Sequence, residues 1–242
     1  MVEKKRITSA KVKIREVSEG RYVNGEGLNP NYVLSKDGKR LSRVWIIGTL
    51  VRRFAIPEKH FYSITLDDGS STIRVKAFGS KILEKLSEGD IIEIIGKIRK
   101  YGDEVYVTPE VAWKTDANAE AMRELDIRTS QEEWKRRSAL VLNYRKQASD
   151  AEELKKLCAD IGIEEGEVES ILEAQESVEA GTQERKLHVL SIIEELDSGD
   201  GCDYSALIEK AGLEEAQLDE TIQELLEEGS CFEPRAGKIK RV

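Results

Sequence analysis

Between Val44 and Trp113 the chain runs through five short segments of period-two alternation, which restricts it to a sheet with two unlike faces. In TIRVKAF the apolar Ile73, Val75 and Ala77 fall on one side of the pleat, so Arg74, Lys76 and Phe78 gather on the other. GKIRKYG repeats the arrangement, with Ile98 inward and Lys97, Arg99 and Tyr101 outward. Each segment therefore ends in an exposed ring beside two cations. Such a face suits single-stranded nucleic acid, because bases stack on flat side chains while cations meet the phosphates.

The remaining segments supply the frame. RVWIIGTLVRRF is a long run rich in β-branched residues, with Gly48 where a bulge or tight bend is expected. His60 to Leu66 alternates with Tyr62, Ile64 and Leu66 on one face, and Asp67-Asp68-Gly69 is a turn. SKILEKLSEG predicts a short amphipathic helix, and DIIEIIGKIRKYGDEVYVTPEVAW a closing hairpin. This order predicts a five-stranded oligonucleotide/oligosaccharide-binding (OB) barrel over residues 42–115. Phe78 and Tyr101 are its expected stacking platforms, flanked by Arg74, Lys76, Lys97 and Arg99; the competing reading makes the rings ordinary caps on strand ends. Arg52, Arg53 and Lys100 add candidate phosphate contacts. Tyr106 is a third candidate ring, less suited because Glu104 shares its face.

Charge divides the chain. Residues 1–115 carry 22 Lys and Arg against 15 Asp and Glu, whereas residues 116–242 carry 16 against 32. One half suits a polyanion and the other repels it. Residues 1–41 read as an extension with a strand at Lys11 to Val17 and turns at Asn24-Gly25 and Asp37-Gly38. From 116 to 182 the pattern is helical: ANAEAMRELDIR, then SQEEWKRRSALVLNYRKQ with Ser130 and Glu133 as a capping box, then a helical hairpin broken at Gly162. Trp134, Val141 and Tyr144 form a stripe expected to meet other subunits, with packing inside the chain as the alternative. VEAGTQE, 178–184, reads as the linker.

Residues 183–242 predict helices at Lys186 to Leu196, Tyr204 to Ala211 and Glu214 to Leu226, followed by a hairpin about Arg235-Ala236-Gly237, the plan of a winged helix. The third helix carries Glu214, Glu215, Asp219, Glu220, Glu224, Glu227 and Glu228 with no cation, which disfavours docking on duplex DNA. A protein partner is expected instead, with Phe232, Pro234 and Arg235 as its anchor. The whole is an α+β multidomain chain.

Several chemistries are disfavoured. His60 and His188 stand far apart without acidic or cysteine partners at ligand spacing; Cys158, Cys202 and Cys231 make no CxxC pair; no GxxxxGK[ST] loop occurs. No catalytic residue, metal or cofactor is expected. Neither a run of 18 apolar residues nor an apolar leader is present, so a soluble, cytoplasmic, nucleoid-associated protein with no membrane partner is expected.

The order RVWIIGTL, FYSITLDDGSSTIRVKAFG, GDIIEIIGKIRKYGDEVYVTPEV, then helix and terminal helix-wing unit resembles the middle subunit of replication protein A, and more narrowly the archaeal replication protein A family and its associated subunits. The resemblance covers residues 42–114 and 183–242. It implies base stacking by Phe78 and Tyr101, and assembly with sister subunits through a helix within Ser130 to Lys146. It also implies binding of single-stranded DNA and of replication or repair proteins. EEGSCFEPRAGKIKRV is similar to the wing of minichromosome maintenance helicases. Two other readings stand beside it: a scaffold subunit that barely touches DNA, and an RNA-binding accessory domain.

Overall fold

The computed structural model describes residues 8–25, 27, 30–197 and 199–242. Along the chain come β1 (Ala10–Lys11), α1 (Ile14–Ser18), β2 (Arg21–Val23), β3 (Tyr32–Leu34), β4 (Arg40–Leu41), β5 (Arg43–Ile56), β6 (Phe61–Asp67), β7 (Thr72–Phe78), β8 (Ile91–Tyr101) and β9 (Glu104–Lys114). Then follow α2 (Ala117–Arg145), α3 (Ala151–Asp160), α4 (Glu165–Leu196), β10 (Cys202–Asp203), α5 (Tyr204–Ala211), α6 (Glu215–Glu227), β11 (Cys231–Arg235) and β12 (Lys238–Arg241). Two compact units result, residues 1–174 and 175–242.

In the first unit the main sheet has the order β1-β5-β6-β7-β9-β8, and β8 pairs back onto β5, so the pairing returns to its starting strand. One long strand serves both ends: Arg43 to Thr49 pairs with β8, and Thr49 to Ile56 pairs with β6. Gly48 sits at the changeover because any Cβ there would lie 2.6 Å from the Asp67 carbonyl oxygen. The bulge itself falls between Leu50 and Arg52, leaving Val51 without a cross-strand partner. A second bulge separates Ile95 and Gly96, opposite Val111 and Pro109, and ejects Glu110. A Cβ on Gly96 would stand 2.4 Å from the Thr108 carbonyl oxygen. Gly96→Ala is therefore expected to cost about 1–3 kcal/mol, read as a lower urea midpoint by tryptophan fluorescence.

The interior is filled by the inward residues of every strand, among them Ile46, Leu50, Tyr62, Ile64, Leu66, Val75, Ile92, Ile94, Ile98 and Val107. Val12, Ile14, Val17, Val33 and Leu41 join the same core, so the segment expected as an extension contributes to it. The expected strand at Lys11 to Val17 is instead a two-residue strand and the helix α1. Lys13 turns extended at its N-cap, Glu16 closes a capping box, and the Ile14 N–H donates to Asp68 at 2.8 Å. Asp68 also accepts from the Ser70 N–H, and Asp67 from the Gly69 N–H, which makes this pair a turn. The expected helix at SKILEKLSEG is a set of turns closed by Glu84 N–H to Lys81 and Leu86 N–H to Leu83, and it buries Leu83 and Leu86 in the core. β2, β3 and β4 form a small antiparallel sheet from the segment read as a loop.

Helix α2 is one continuous element. Asp116 caps it by accepting from the Ala119 N–H at 2.9 Å, and Ser130 lies inside it rather than at an N-terminus. Its first turns cover part of the outer sheet face: Arg123 donates to Glu93 at 2.8 Å and lies 4.1 Å from the Trp45 ring centroid, while the Trp45 Nε1 donates to Glu93 at 2.6 Å. Trp113 stacks edge-on against Trp45 at 6.0 Å. Further along, Val141 is fully buried among Leu154, Cys158, Ile163, Val168 and Ile171, with Trp134 and Tyr144 packed at the margin. The Trp134 Nε1 donates to the Asp37 carbonyl at 2.6 Å. α3 and the start of α4 thus cover Val141, the centre of the stripe expected to meet other subunits, and leave Trp134 and Tyr144 half-buried.

The expected linker at 178–184 lies inside α4, and the division between units falls at residue 174 rather than 182. In the second unit, Val189, Ile193, Leu207, Leu218, Ile222, Leu225 and Ile239 form a separate core with Cys202 and Cys231. α5, α6 and the terminal hairpin form within a residue or two of where the sequence places them, whereas the expected helix at Lys186 to Leu196 is the last part of the longer α4; β10 adds a third strand in the order β10-β12-β11. The acidic α6 is not wholly without a cation: Lys186 of α4 meets Glu224 at 2.8 Å and Glu228 at 2.7 Å. Those two hydrogen bonds hold the Lys186 ammonium above its ordinary pKa.

Candidate nucleic-acid interface

The outer face of the closed sheet has two halves. Arg123 and the two tryptophans cover one; the other is open, and the polar and aromatic residues of five strands meet there. Register fixes the rows. Arg52 of β5 stands opposite Thr65 of β6, Thr65 opposite Arg74 of β7, Arg74 opposite Tyr106 of β9, and Tyr106 opposite Arg99 of β8. In the next row Phe54 faces Ser63 and Ser63 faces Lys76. Phe61 faces Phe78, and Tyr101 faces Glu104. Directly opposed residues in antiparallel strands lie about 4.5–5.5 Å apart at Cβ, and β7 and β9, which pair in parallel, are neighbours at the ordinary strand spacing of about 4.8 Å, so each row is a contiguous strip.

Phe78 and Tyr101 are outward and exposed, 61 % and 80 % respectively. The structure adds two rings that sequence reading passed over. Phe61 lies 5.1 Å from Phe78 between ring centroids, and Phe54, itself 56 % exposed, lies 6.2 Å from Phe61. Strict alternation inward from Leu50 would have buried Phe54; the bulge at Val51 reverses the phase and brings Arg52 and Phe54 onto the open face. One signal was in the sequence, since RRF at 52–54 repeats the pairing of two cations with a ring seen in RVKAF and RKY. A groove of about 450 Å³ is lined by Arg52, Arg53, Phe54, Phe61, Arg74 and Lys76, with Ser63 and Thr65 at its floor.

The cations differ in their freedom. Arg74 lies 3.3 Å and Lys76 2.5 Å from the two oxygens of Glu104. Lys97 lies 3.4 Å and Arg43 2.5 Å from Glu110. Burial raises the Glu110 carboxyl, but hydrogen bonds from Arg43 and Lys97 outweigh it and hold the pKa below the usual value. Arg53 donates to the Glu84 carbonyl at 3.0 Å, and Lys76 lies 4.7 Å from the Tyr106 centroid, so one face of that half-buried ring is already occupied. Lys100 lies 6.0 Å from the Tyr22 centroid. Among the described residues Arg52 and Arg99 have no carboxylate partner.

Among the described residues no group of three His, Cys, Asp or Glu side chains is placed to hold a metal, and the three cysteines are buried free thiols. No helix among them is long and apolar enough to cross a membrane. In the second unit Phe232 is exposed beside Pro234 and Arg235. Three of the hairpin's cations are engaged locally, Arg235 with Asp200 at 3.3 Å, Lys240 with Asp197 at 3.6 Å and Arg241 with Glu194 at 2.7 Å, while Lys238 has no carboxylate partner among the described residues.

The chain is 27 % identical over 219 residues to an uncharacterized protein of Methanocaldococcus jannaschii, covering 90 % of this chain and 82 % of that one. Among solved structures it is similar to a chain of a replication protein A heterotrimer bound to ssDNA, at 12 % identity, TM-score 0.45, with 53 % of this chain and 98 % of that one covered. It is also similar to a chain of the Stn1-Ten1 complex of S. pombe, at 17 % identity, TM-score 0.46, with 52 % and 93 % covered. Residues 44–113 match the family described as the OB-fold nucleic acid binding domain, so the first unit contains such a domain, followed by helices in a mixed α and β chain.

Proposed function

We propose that this chain is a non-enzymatic single-stranded-DNA-binding subunit of a replication protein A-like complex, acting in replication, repair and recombination. The observation that carries the reading is the open half of the sheet, where Phe54, Phe61, Phe78 and Tyr101 stand among Arg52, Arg74, Lys76, Lys97 and Arg99. Rings stack on any base and cations follow the backbone, a combination that favours an unpaired strand over a duplex whose bases are already stacked. Arg53, Lys100 and Tyr106 flank this path. The association with sister subunits rests on the resemblance in element order; of the stripe expected to serve it, Val141 is buried within the chain, and only the half-buried Trp134 and Tyr144 are left to meet a partner.

The second unit, read as a winged helix, serves as a protein-recruiting module. Its helix α6 is acidic and three of its hairpin cations, Arg235, Lys240 and Arg241, are paired with Asp200, Asp197 and Glu194, so it offers a phosphate backbone little attraction. Phe232, Pro234 and Arg235 present an apolar anchor with a charged rim, suited to a basic segment of a replication or repair factor.

Fluorescence anisotropy with labelled single-stranded DNA, RNA of the same sequence and duplex tests the reading. The full chain is expected to bind the single DNA strand at least about tenfold more tightly than duplex. Log affinity is expected to fall with log salt, with a slope no steeper than about −3.5, the limit if Arg52, Arg74, Lys76, Lys97 and Arg99 each neutralised one phosphate at about −0.7 apiece. Equal duplex affinity, or affinity independent of salt, overturns the assignment in favour of a scaffold; tighter RNA binding favours the RNA-binding reading.

A further inference from the structure

The two carboxylates on the open face occupy positions a phosphate would be expected to take. Glu104 spreads its oxygens between Arg74 and Lys76, which come from the same edge of β7, while Glu110 bridges Arg43 of β5 and Lys97 of β8. Neither is a turn residue by necessity. Glu104 opens β9 opposite Tyr101, beside an expected stacking ring, and Glu110 is the very residue that the β9 bulge pushes out of the ladder. Both side chains are about one-third exposed, 35 % and 31 %, so solvent and ligand reach them. Lys76 is held closely enough that only 14 % of its side chain is exposed.

We propose that Glu104 and Glu110 are internal competitors for the nucleic-acid backbone, which restrain affinity by occupying the cations that would otherwise bind phosphate. This deepens, and rests on, the single-stranded-DNA reading above. A phosphate arriving at Arg74 and Lys76 must share or displace a carboxylate already bound there, and it meets like charge if the carboxylate stays. Cations already neutralised by protein release fewer condensed counterions when DNA binds. The wild-type chain should accordingly bind with a shallower salt dependence than its five outward cations would give if all were free. Arg52 and Arg99, which lack such partners, would make the first contacts, and the strand would settle onto the stacking rings only as the carboxylates yield. The device keeps binding reversible on a surface rich in rings.

The test is anisotropy titration of a labelled single-stranded oligodeoxythymidylate with the full-length chain, comparing wild type, Glu104→Gln and Glu110→Gln across a salt series. Glutamine keeps the size and hydrogen-bonding capacity of the side chain while removing its charge. Each variant is expected to bind at least about threefold more tightly at low salt, the range that separates an exposed ion pair from none. The slope of log affinity against log salt should steepen by about 0.7–1.4, one or two further phosphates neutralised. A wild type that binds, with variants of unchanged fold by circular dichroism that bind equally or more weakly, overturns the competitor role and makes the carboxylates positioning groups for the cations. If wild type and both variants all fail to bind at low salt, the single-stranded-DNA reading itself falls and takes this inference with it.

Discussion

Arg123→Met is expected to destabilise the first unit by about 3–5 kcal/mol, because it leaves the Glu93 carboxylate buried without a counter-charge. The two side chains are 7 % and 9 % exposed. The arginine binds Glu93 and the Trp45 carbonyl and covers the Trp45 ring, so one substitution removes the charge partner and the plate that seals this half of the sheet. All three tryptophans, Trp45, Trp113 and Trp134, lie in the first unit, so tryptophan fluorescence in urea follows that unit alone. Adding Glu93→Gln to Arg123→Met should recover more than half of the loss, since glutamine still accepts from the Trp45 Nε1 without carrying a buried charge. A loss below about 1 kcal/mol would mean that water reaches the pair and screens it as at a surface.

Removing both expected stacking platforms, Phe78→Ala with Tyr101→Ala, is expected to weaken single-stranded-DNA binding by about 2–6 kcal/mol, at about 1–3 kcal/mol per base lost from its ring. Both rings are outward and exposed, so the fold should survive, with circular dichroism as the control. Tyr101→Phe should be nearly silent because the ring, not the hydroxyl, carries the contact. Phe61 touches Phe78, so alanine at both of these positions should depart from additivity, whereas Phe54→Ala tests whether the strip extends along β5. Wild-type affinity in the Phe78/Tyr101 double variant would show that the rings are strand-end caps and would move the site elsewhere.

Much of the closed sheet was legible because period two leaves little choice of face. Ile73, Val75, Ala77 and Ile98 had to turn inward once their strands formed, and Arg74, Lys76, Phe78, Lys97, Arg99 and Tyr101 had to turn outward together. The terminal helices were equally plain, since α5 and α6 carry apolar residues at helical spacing and Gly212 and Gly229 stop them with positive φ. What failed was short or locally ambiguous. α1 depends on Asp68, more than fifty residues away in sequence, to satisfy its first N–H. The segment 80–89 buries two leucines without completing a helix. In α2, Ser130 has the sequence of a cap, yet the helix continues because its neighbours on either side are good helix formers and α3 and α4 pack along it.

The sequence by itself determined which residues of β7 and β8 face out of the sheet, where the charge changes sign along the chain, and that rings and cations recur together at strand ends; these follow from side-chain periodicity and composition. Tertiary structure alone decided which of those outward residues meet. The bulge at Val51 turns Phe54 and Arg52 onto the open face, closure of β8 onto β5 brings five strands into shared rows, and α2 covers one half of the outer surface through Arg123. It also decided which cations are already occupied, because Glu104 and Glu110 reach partners on neighbouring strands. A one-residue slip inverts a strand's faces, and an ion pair depends on distances across strands, so neither is written in the local pattern.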